Sequence, residues 1–377
     1  MLKNIFGEAI GKTVFISREQ TEDKRERNIY GRYFKDTAIF NVFPPEKEKE
    51  GKLLGKFVFG TVKEELQLCG VFTDRGVEFY SYGKKIEFET YDMYQNIFSR
   101  NKGILETGVM SQKRVVILGC GSVGSLVAME LARSGVGHFC LMDADIIEYH
   151  NICRHQCGLE DVGDLKVNAL ERKILNINPR AEVVKFGGIV QNAPQKMLED
   201  FCRPGDTIFV GCADNRIADV YANRIASYFS SAFISIGFWE RALAGEIFYH
   251  LPGKNMPCYT CALGDGGDVS GRSVANHHIY SMQENVEAVR FEPGISVDIN
   301  FITCIGIKLI IDILNDGQNG YIPRLLNDLK QYTLVCNTSN PEIGGEMVEI
   351  FSYPLQVTRS LKVGFGPQCK GKCQNED

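Results

Sequence analysis

Between residues 114 and 240, short runs of consecutive apolar residues alternate with longer stretches in which apolar positions recur every three or four residues. The runs near 114–118, 138–142, 182–185, 206–210 and 232–236 predict strands buried on both faces, and the stretches near 123–134, 166–176, 192–201 and 216–229 predict helices. Such alternation specifies a Rossmann-like α/β fold, a doubly wound, mostly parallel sheet covered on both sides. After Gly237 the rhythm changes: an antiparallel-looking segment (GEIFYHL), a cysteine pair, a glycine-rich stretch, a long apolar run near Ile299 to Leu314 and a final β region together predict a C-terminal antiparallel extension. Residues 1–95 have another texture. KTVFIS, TAIFNVF, GKFVFGTV, VEFYSYG and KIEFETY alternate apolar and polar positions between charged loops, which predicts a small β-rich or α+β module ahead of a larger domain over 96–377.

The junction between the first strand of the α/β region and its helix carries the most chemistry. Gly119, Gly121 and Gly124 follow RVVIL with the spacing G-x-G-x-x-G. Glycines there permit a tight turn, let backbone N–H groups approach a phosphate, and bring helix and strand close together. The helix N-terminus adds unpaired amides and a favourable dipole. Asp143 closes the second strand about 20 residues on, where an acidic residue meets a ribose hydroxyl. Alone, this fingerprint means a nucleotide, most often NAD or FAD.

The residues past Asp143 change that nucleotide. Asp143 and Asp145 form D-x-D, Asn151 and Arg154 form N-x-x-R, and Val162, Gly163 and Lys166 open a helix that ends at Asn178-Pro179, with GCADNR at 211–216 further on. In order and spacing this resembles the adenylating domain of the ubiquitin-activating-enzyme superfamily, the ThiF/MoeB type, over about residues 96–377. The resemblance implies adenylyltransferase activity with ATP and Mg2+, nucleotide contacts from Gly119, Gly121, Gly124, Asp143, Asp145 and Asn151, and Asp214 as the magnesium-associated carboxylate. It further implies a homodimer in which an arginine of the FSRN stretch, here Arg100, reaches the ATP of the opposite subunit. One departure is visible: the family often has Gln directly after the Arg, whereas here His155 precedes Gln156 and the loop to Lys166 is one residue shorter.

Residue chemistry points the same way without the family label. A triphosphate attacked at its α-phosphorus needs cations on its oxygens, which Arg154 and Lys166 supply, and a hard oxygen ligand for a metal, which Asp214 offers. The attacking group is a substrate carboxylate, so catalysis is mainly positioning and electrostatics. The substrate class is the C-terminal carboxylate of a ubiquitin-like protein, a sulfur-carrier protein or a peptide. A nicotinamide or flavin oxidoreductase would share the glycine turn yet leave N-x-x-R, V-G-x-x-K and the Asp214 turn without a use. A scaffold subunit would keep the fold, but such subunits typically lose the Arg, Lys or Asp, and all three are present here.

The chain has 377 residues, 44% hydrophobic and 24% charged, with a net charge of −5, which argues against nucleic acid as the main partner. No signal peptide or membrane span is read, and the 13 cysteines favour thiols and metal over disulfides in a cytoplasmic protein. Cys258 and Cys261 (C-Y-T-C) together with Cys369 and Cys373 (CKGKC) can form a four-thiolate structural Zn2+ site tying the tail to the domain. Ubiquitin-type activators carry a thioester cysteine between the first zinc pair and the long helix. Here Ala262 to Thr303, a polar and glycine-rich crossover, has none. Cys304, inside the apolar helix, is expected to be buried, and Cys69 to belong to a core. Cys153 and Cys157 flank Arg154 and are the remaining thiols to test.

Overall fold

A computed structural model of the chain describes residues 11–92, 96–213, 216–239, 242–263, 294–337 and 358–366. The chain divides into two compact units, Met1–Lys102 and Gly103–Asp377.

The first unit is a closed barrel of strands β1 (Thr13–Ser17), β2 (Arg27–Phe34), β3 (Ile39–Val42), β4 (Lys52–Phe59), β5 (Leu68–Thr73), β6 (Gly76–Ser81) and β7 (Lys84–Tyr91), in the order β1-β3-β2-β4-β5-β6-β7. Closure comes from β1, which runs parallel to both β3 and β7. Alternate residues point inward, so Val14, Ile16, Ile29, Phe40, Phe57, Leu68 and Phe79 fill the interior. Closing the sheet removes the unpaired edges that a small open sheet would leave. Cys69 is fully buried, as a core residue.

The second unit holds an eight-stranded sheet in the order β10-β9-β8-β11-β12-β13-β14-β15. Its strands are β8 (Arg114–Leu118), β9 (His138–Met142), β10 (Glu182–Phe186), β11 (Thr207–Gly211), β12 (Ala232–Phe238), β13 (Ala244–His250), β14 (Tyr332–Cys336) and β15 (Thr358–Leu361). The pairs from β10 to β12 are parallel and those from β12 to β15 antiparallel. Helices α1 (Ser122–Arg133), α2 (Lys166–Ile177), α3 (Gln195–Phe201), α4 (Arg216–Tyr228) and α5 (Ser296–Leu314) cover it. The apolar runs are continuous because both faces are packed. Val115 and Ile117 of β8 join the core with α1, α2 and α5, while Val116 and Leu118 join that with α3 and α4. No helix among the described residues is long and apolar enough to cross a membrane.

Strand order reverses at β8: the chain moves outward through β9 and β10, then returns to β11 on the other side. The loops leaving β8 and β11 therefore part in opposite directions and open a crevice at their carboxyl ends, the usual ligand position in open α/β sheets.

Candidate active site

That crevice is a cavity of about 480 Å3. Its floor is the turn from β8 into α1. Gly119 has φ +91, a left-handed conformation, and a Cβ there would stand 2.7 Å from the Cα of Ala213 in the loop after β11. Only glycine accommodates both constraints. Gly124 lies one turn into α1, where a Cβ would be driven into the carbonyl oxygen of Gly119. Gly121 differs: it has room for a side chain, but that room is the cavity, which Gly121 lines. As the N-cap of α1 it provides no side-chain hydrogen bond, and Ser122 and Val123 of the first turn also line the cavity.

Acidic groups shape the opposite wall. Asp143, just past β9, accepts from the Cys120 backbone N–H at 2.7 Å through Oδ2 and from the Asp145 N–H at 2.8 Å through Oδ1. Lys166, first residue of α2, donates from Nζ to Asp145 Oδ2 at 2.8 Å and lies 4.0 Å from Asp143 Oδ1. Its backbone N–H bonds the Asp145 carbonyl, so the D-x-D segment and the start of α2 hold each other. Asp143, Asp145, Lys166 and Arg154 all line the cavity. Asn151 takes another part: its Oδ1 accepts from the Glu148 N–H at 2.9 Å and its carbonyl accepts from the Arg154 N–H at 3.0 Å, shaping the turn that presents Arg154.

Asp214 lies outside the described residues; its neighbour Ala213 lines the cavity. Arg100 belongs to the first unit, exposed on the 3-10 turn Ser99–Asn101. Sequence reasoning missed three groups of lining residues. Gly188, Ile189, Val190 and Gln191 follow β10, Phe238, Trp239 and Ala242 follow β12, and Gly294 and Ile299 flank the start of α5. The glycine pair after β10 was a usable signal; the others become neighbours only through the sheet.

The thiols sort by burial. Cys157 is buried and its thiol is pushed up to about 12, chiefly by burial, and burial likewise raises the fully enclosed Cys120 thiol, so neither favours a reactive thiolate. Cys212 is buried although it lines the cavity. Cys153 is exposed, its Sγ 3.4 Å from the His150 carbonyl. Cys304 corrects the sequence expectation: it is exposed, since Val297, Phe301, Cys304 and Lys308 fall on the outer face of α5.

Cys258 and Cys261 place their sulfurs 3.8 Å apart. Cys369, Cys373 and the crossover over 264–293 lie outside the described residues, and among the described ones no group of three or more potential ligands is placed for a metal.

A glycine turn at a topological switch point, with an arginine from the β9–α2 connection and a lysine at the start of α2, defines a Rossmann-like nucleotide-binding domain. The ThiF family model matches residues 98–341, and the chain belongs to that family. It is 28% identical over 203 residues to ubiquitin-like modifier-activating enzyme 5 of Bombyx mori, covering 48% of this chain and 49% of that protein. With the protein of the same name from Gallus gallus it shares 29% over 188 residues, covering 44% and 45%. The chain thus spans about half the length of the curated relatives it matches. In fold it is similar to the microcin C7 biosynthetic enzyme MccB in complex with N-formylated MccA, with a TM-score of 0.50 and 21% identity over 74% of this chain and 76% of that one.

Proposed function

We propose that the protein is an ATP- and magnesium-dependent adenylyltransferase acting on the C-terminal carboxylate of a ubiquitin-like protein, a sulfur-carrier protein or a peptide. The observation that carries this reading is the convergence of Arg154 and Lys166 on a cavity floored by a glycine turn. A carboxylate oxygen attacks the α-phosphorus, the bond to the bridging oxygen breaks, and pyrophosphate leaves with the negative charge. Cations fixed beforehand beside that charge lower the barrier without reorganising. Lys166, held by Asp145 and close to Asp143, is fixed in this sense. The α1 amides receive phosphate oxygens, and Asp143 stands where a ribose hydroxyl binds. Asp214 is the residue proposed to hold magnesium, which supplies charge neutralisation at the phosphates. The purified protein is expected to exchange pyrophosphate into ATP only with its carboxylate substrate present, and Asp214→Ala to lower that rate on the order of 100-fold. Full exchange by the variant would refute the assignment.

The same reading includes a homodimer with Arg100 of one subunit acting at the nucleotide of the other. Mixing inactive Arg100→Ala and Lys166→Ala proteins should then restore activity, because one site of each mixed dimer carries neither lesion. Absence of recovery after confirmed subunit exchange would rule this out. No cysteine outside the zinc set is assigned a thioester role, and Cys153→Ala and Cys157→Ala should both retain product formation. A reducible, ATP-dependent adduct lost in either would reverse that.

Structural zinc on Cys258, Cys261, Cys369 and Cys373 fits two features of the chain. Tetrahedral Zn–S bonds of about 2.3 Å set sulfurs roughly 3.8 Å apart, the separation of Cys258 and Cys261. The Gly366 backbone also hydrogen-bonds the Cys261 sulfur, which brings the tail to the first pair three residues before Cys369. Elemental analysis should give one zinc per chain, and Cys369→Ser should lose it and lower the melting temperature. Metal-replete protein without zinc would exclude the site.

A further inference from the structure

His155 sits beside Arg154 with its ring buried, in contact with two segments far apart in sequence. Its Nδ1 accepts the Cys157 backbone N–H at 3.0 Å, so the ring proton is on Nε2, which donates to the Cys120 carbonyl at 2.7 Å. Cys120 is the residue between Gly119 and Gly121. Its N–H is already held by Asp143 Oδ2 at 2.7 Å. The one non-glycine residue of the turn is therefore pinned on both sides, its N–H by Asp143 and its carbonyl by His155, while the glycines flanking it have intrinsic freedom to rearrange.

We propose that His155 is a positioning residue that locks the phosphate-binding turn to the Arg154 loop, so that both halves of the nucleotide site are set by one neutral imidazole. This rests on the adenylation reading for the ligand's identity, not for the link itself. The ring can make both bonds only when neutral, because a protonated Nδ1 cannot accept from Cys157. Lys166 of α2, Asp143 after β9 and Asp161 of the 3-10 turn Leu159–Asp161 face it; burial is the main cause that lowers its pKa, Lys166 adds to this, and the Cys120 carbonyl and the two carboxylates oppose it. Above about pH 6.5 the ring is neutral in folded and unfolded chains alike. Below that, the unfolded chain takes up a proton that the folded ring refuses, and the link is lost as pH falls through the folded pKa.

Two substitutions separate the bonds. His155→Asn keeps an acceptor at the Nδ1 position but does not reach Cys120; His155→Gln reaches Cys120 with an amide donor and does not titrate. Calorimetric titration of the full chain with Mg-ATP at pH 8 should show His155→Gln within about 3-fold of wild type and His155→Asn weaker by about 10-fold or more. Wild-type affinity should fall, relative to His155→Gln, as pH drops through the folded pKa of His155, which burial holds below the ordinary histidine value; protonation of ATP itself is common to both and cancels. Amide exchange over Cys120–Ser125, measured without nucleotide, should be faster in His155→Asn than in His155→Gln. Equal exchange in the two variants overturns the proposal, as do equal affinities where Mg-ATP binds. If the exchange difference appears but wild type binds no Mg-ATP, the link stands and the adenylation reading falls.

Discussion

Lys166→Ala is expected to lower ATP–pyrophosphate exchange by on the order of 100-fold or more, as loss of a fixed transition-state cation does. Lysine at this position has two duties. Its ammonium offsets Asp145 and the mostly buried Asp143 before any ligand arrives, and it is the cation nearest the D-x-D segment inside the cavity. Alanine removes the charge and leaves two carboxylates facing the incoming triphosphate, so binding and turnover should both suffer. Lys166→Arg keeps the charge but replaces a compact ammonium with a larger planar group, and should recover only part of the activity. Exchange within a few-fold of wild type in Lys166→Ala would show that this lysine is a structural counter-ion alone.

Gly124→Ala should strongly lower stability. Its methyl would enter the carbonyl oxygen of Gly119 and stand 3.0 Å from that residue's carbonyl carbon and 3.2 Å from Ile117 Cγ2. Those are backbone and core atoms with little freedom to yield, so a cost of about 3 kcal/mol is expected, a fall of roughly 5 °C in melting temperature for a unit of this size. Gly121→Ala is the matched comparison. Its methyl meets no protein atom within 4 Å and projects where Gly121 lines the cavity. It should melt like wild type yet bind Mg-ATP more weakly. A normal melt for Gly124→Ala, or unchanged affinity for Gly121→Ala, would contradict this division between packing and binding glycines.

The sheet was legible because its central strands are buried on both sides: runs such as RVVIL and TIFVG pack on both faces and helical periodicity separates them, whereas the edge strand β10, expected to be buried, has no buried residue. The barrel was legible as a set of strands but not as a closed object. Nothing in KKIEFETY announces a parallel partnership with β1, formed with more than 60 intervening residues. Strand β2 was hidden because RNIYGRYF carries two arginines and a register shift between Ile29 and Tyr30 interrupts its alternation. The exposure of Cys304 escaped prediction for the opposite reason: α5 is apolar nearly all round, so its sequence marks no outer face. At the site, glycines and charges could be read from spacing, since they lie on loops of defined length from the strands. His155 stood out as a departure, but its partner is 35 residues earlier in the chain. A hydrogen bond of that kind exists only after β8 and the Arg154 loop have come together.

Trp239 is the chain's sole tryptophan, and it lines the cavity. Indole emission from this protein, excited where tyrosine does not absorb, therefore arises entirely from one wall of the crevice. Ligand entry can be followed on the unlabelled protein as a change in that single emitter, with no background from the barrel. Stopped-flow traces would then report the arrival of nucleotide and of the carboxylate substrate at the same wall, and their order of addition could be timed before any product is assayed.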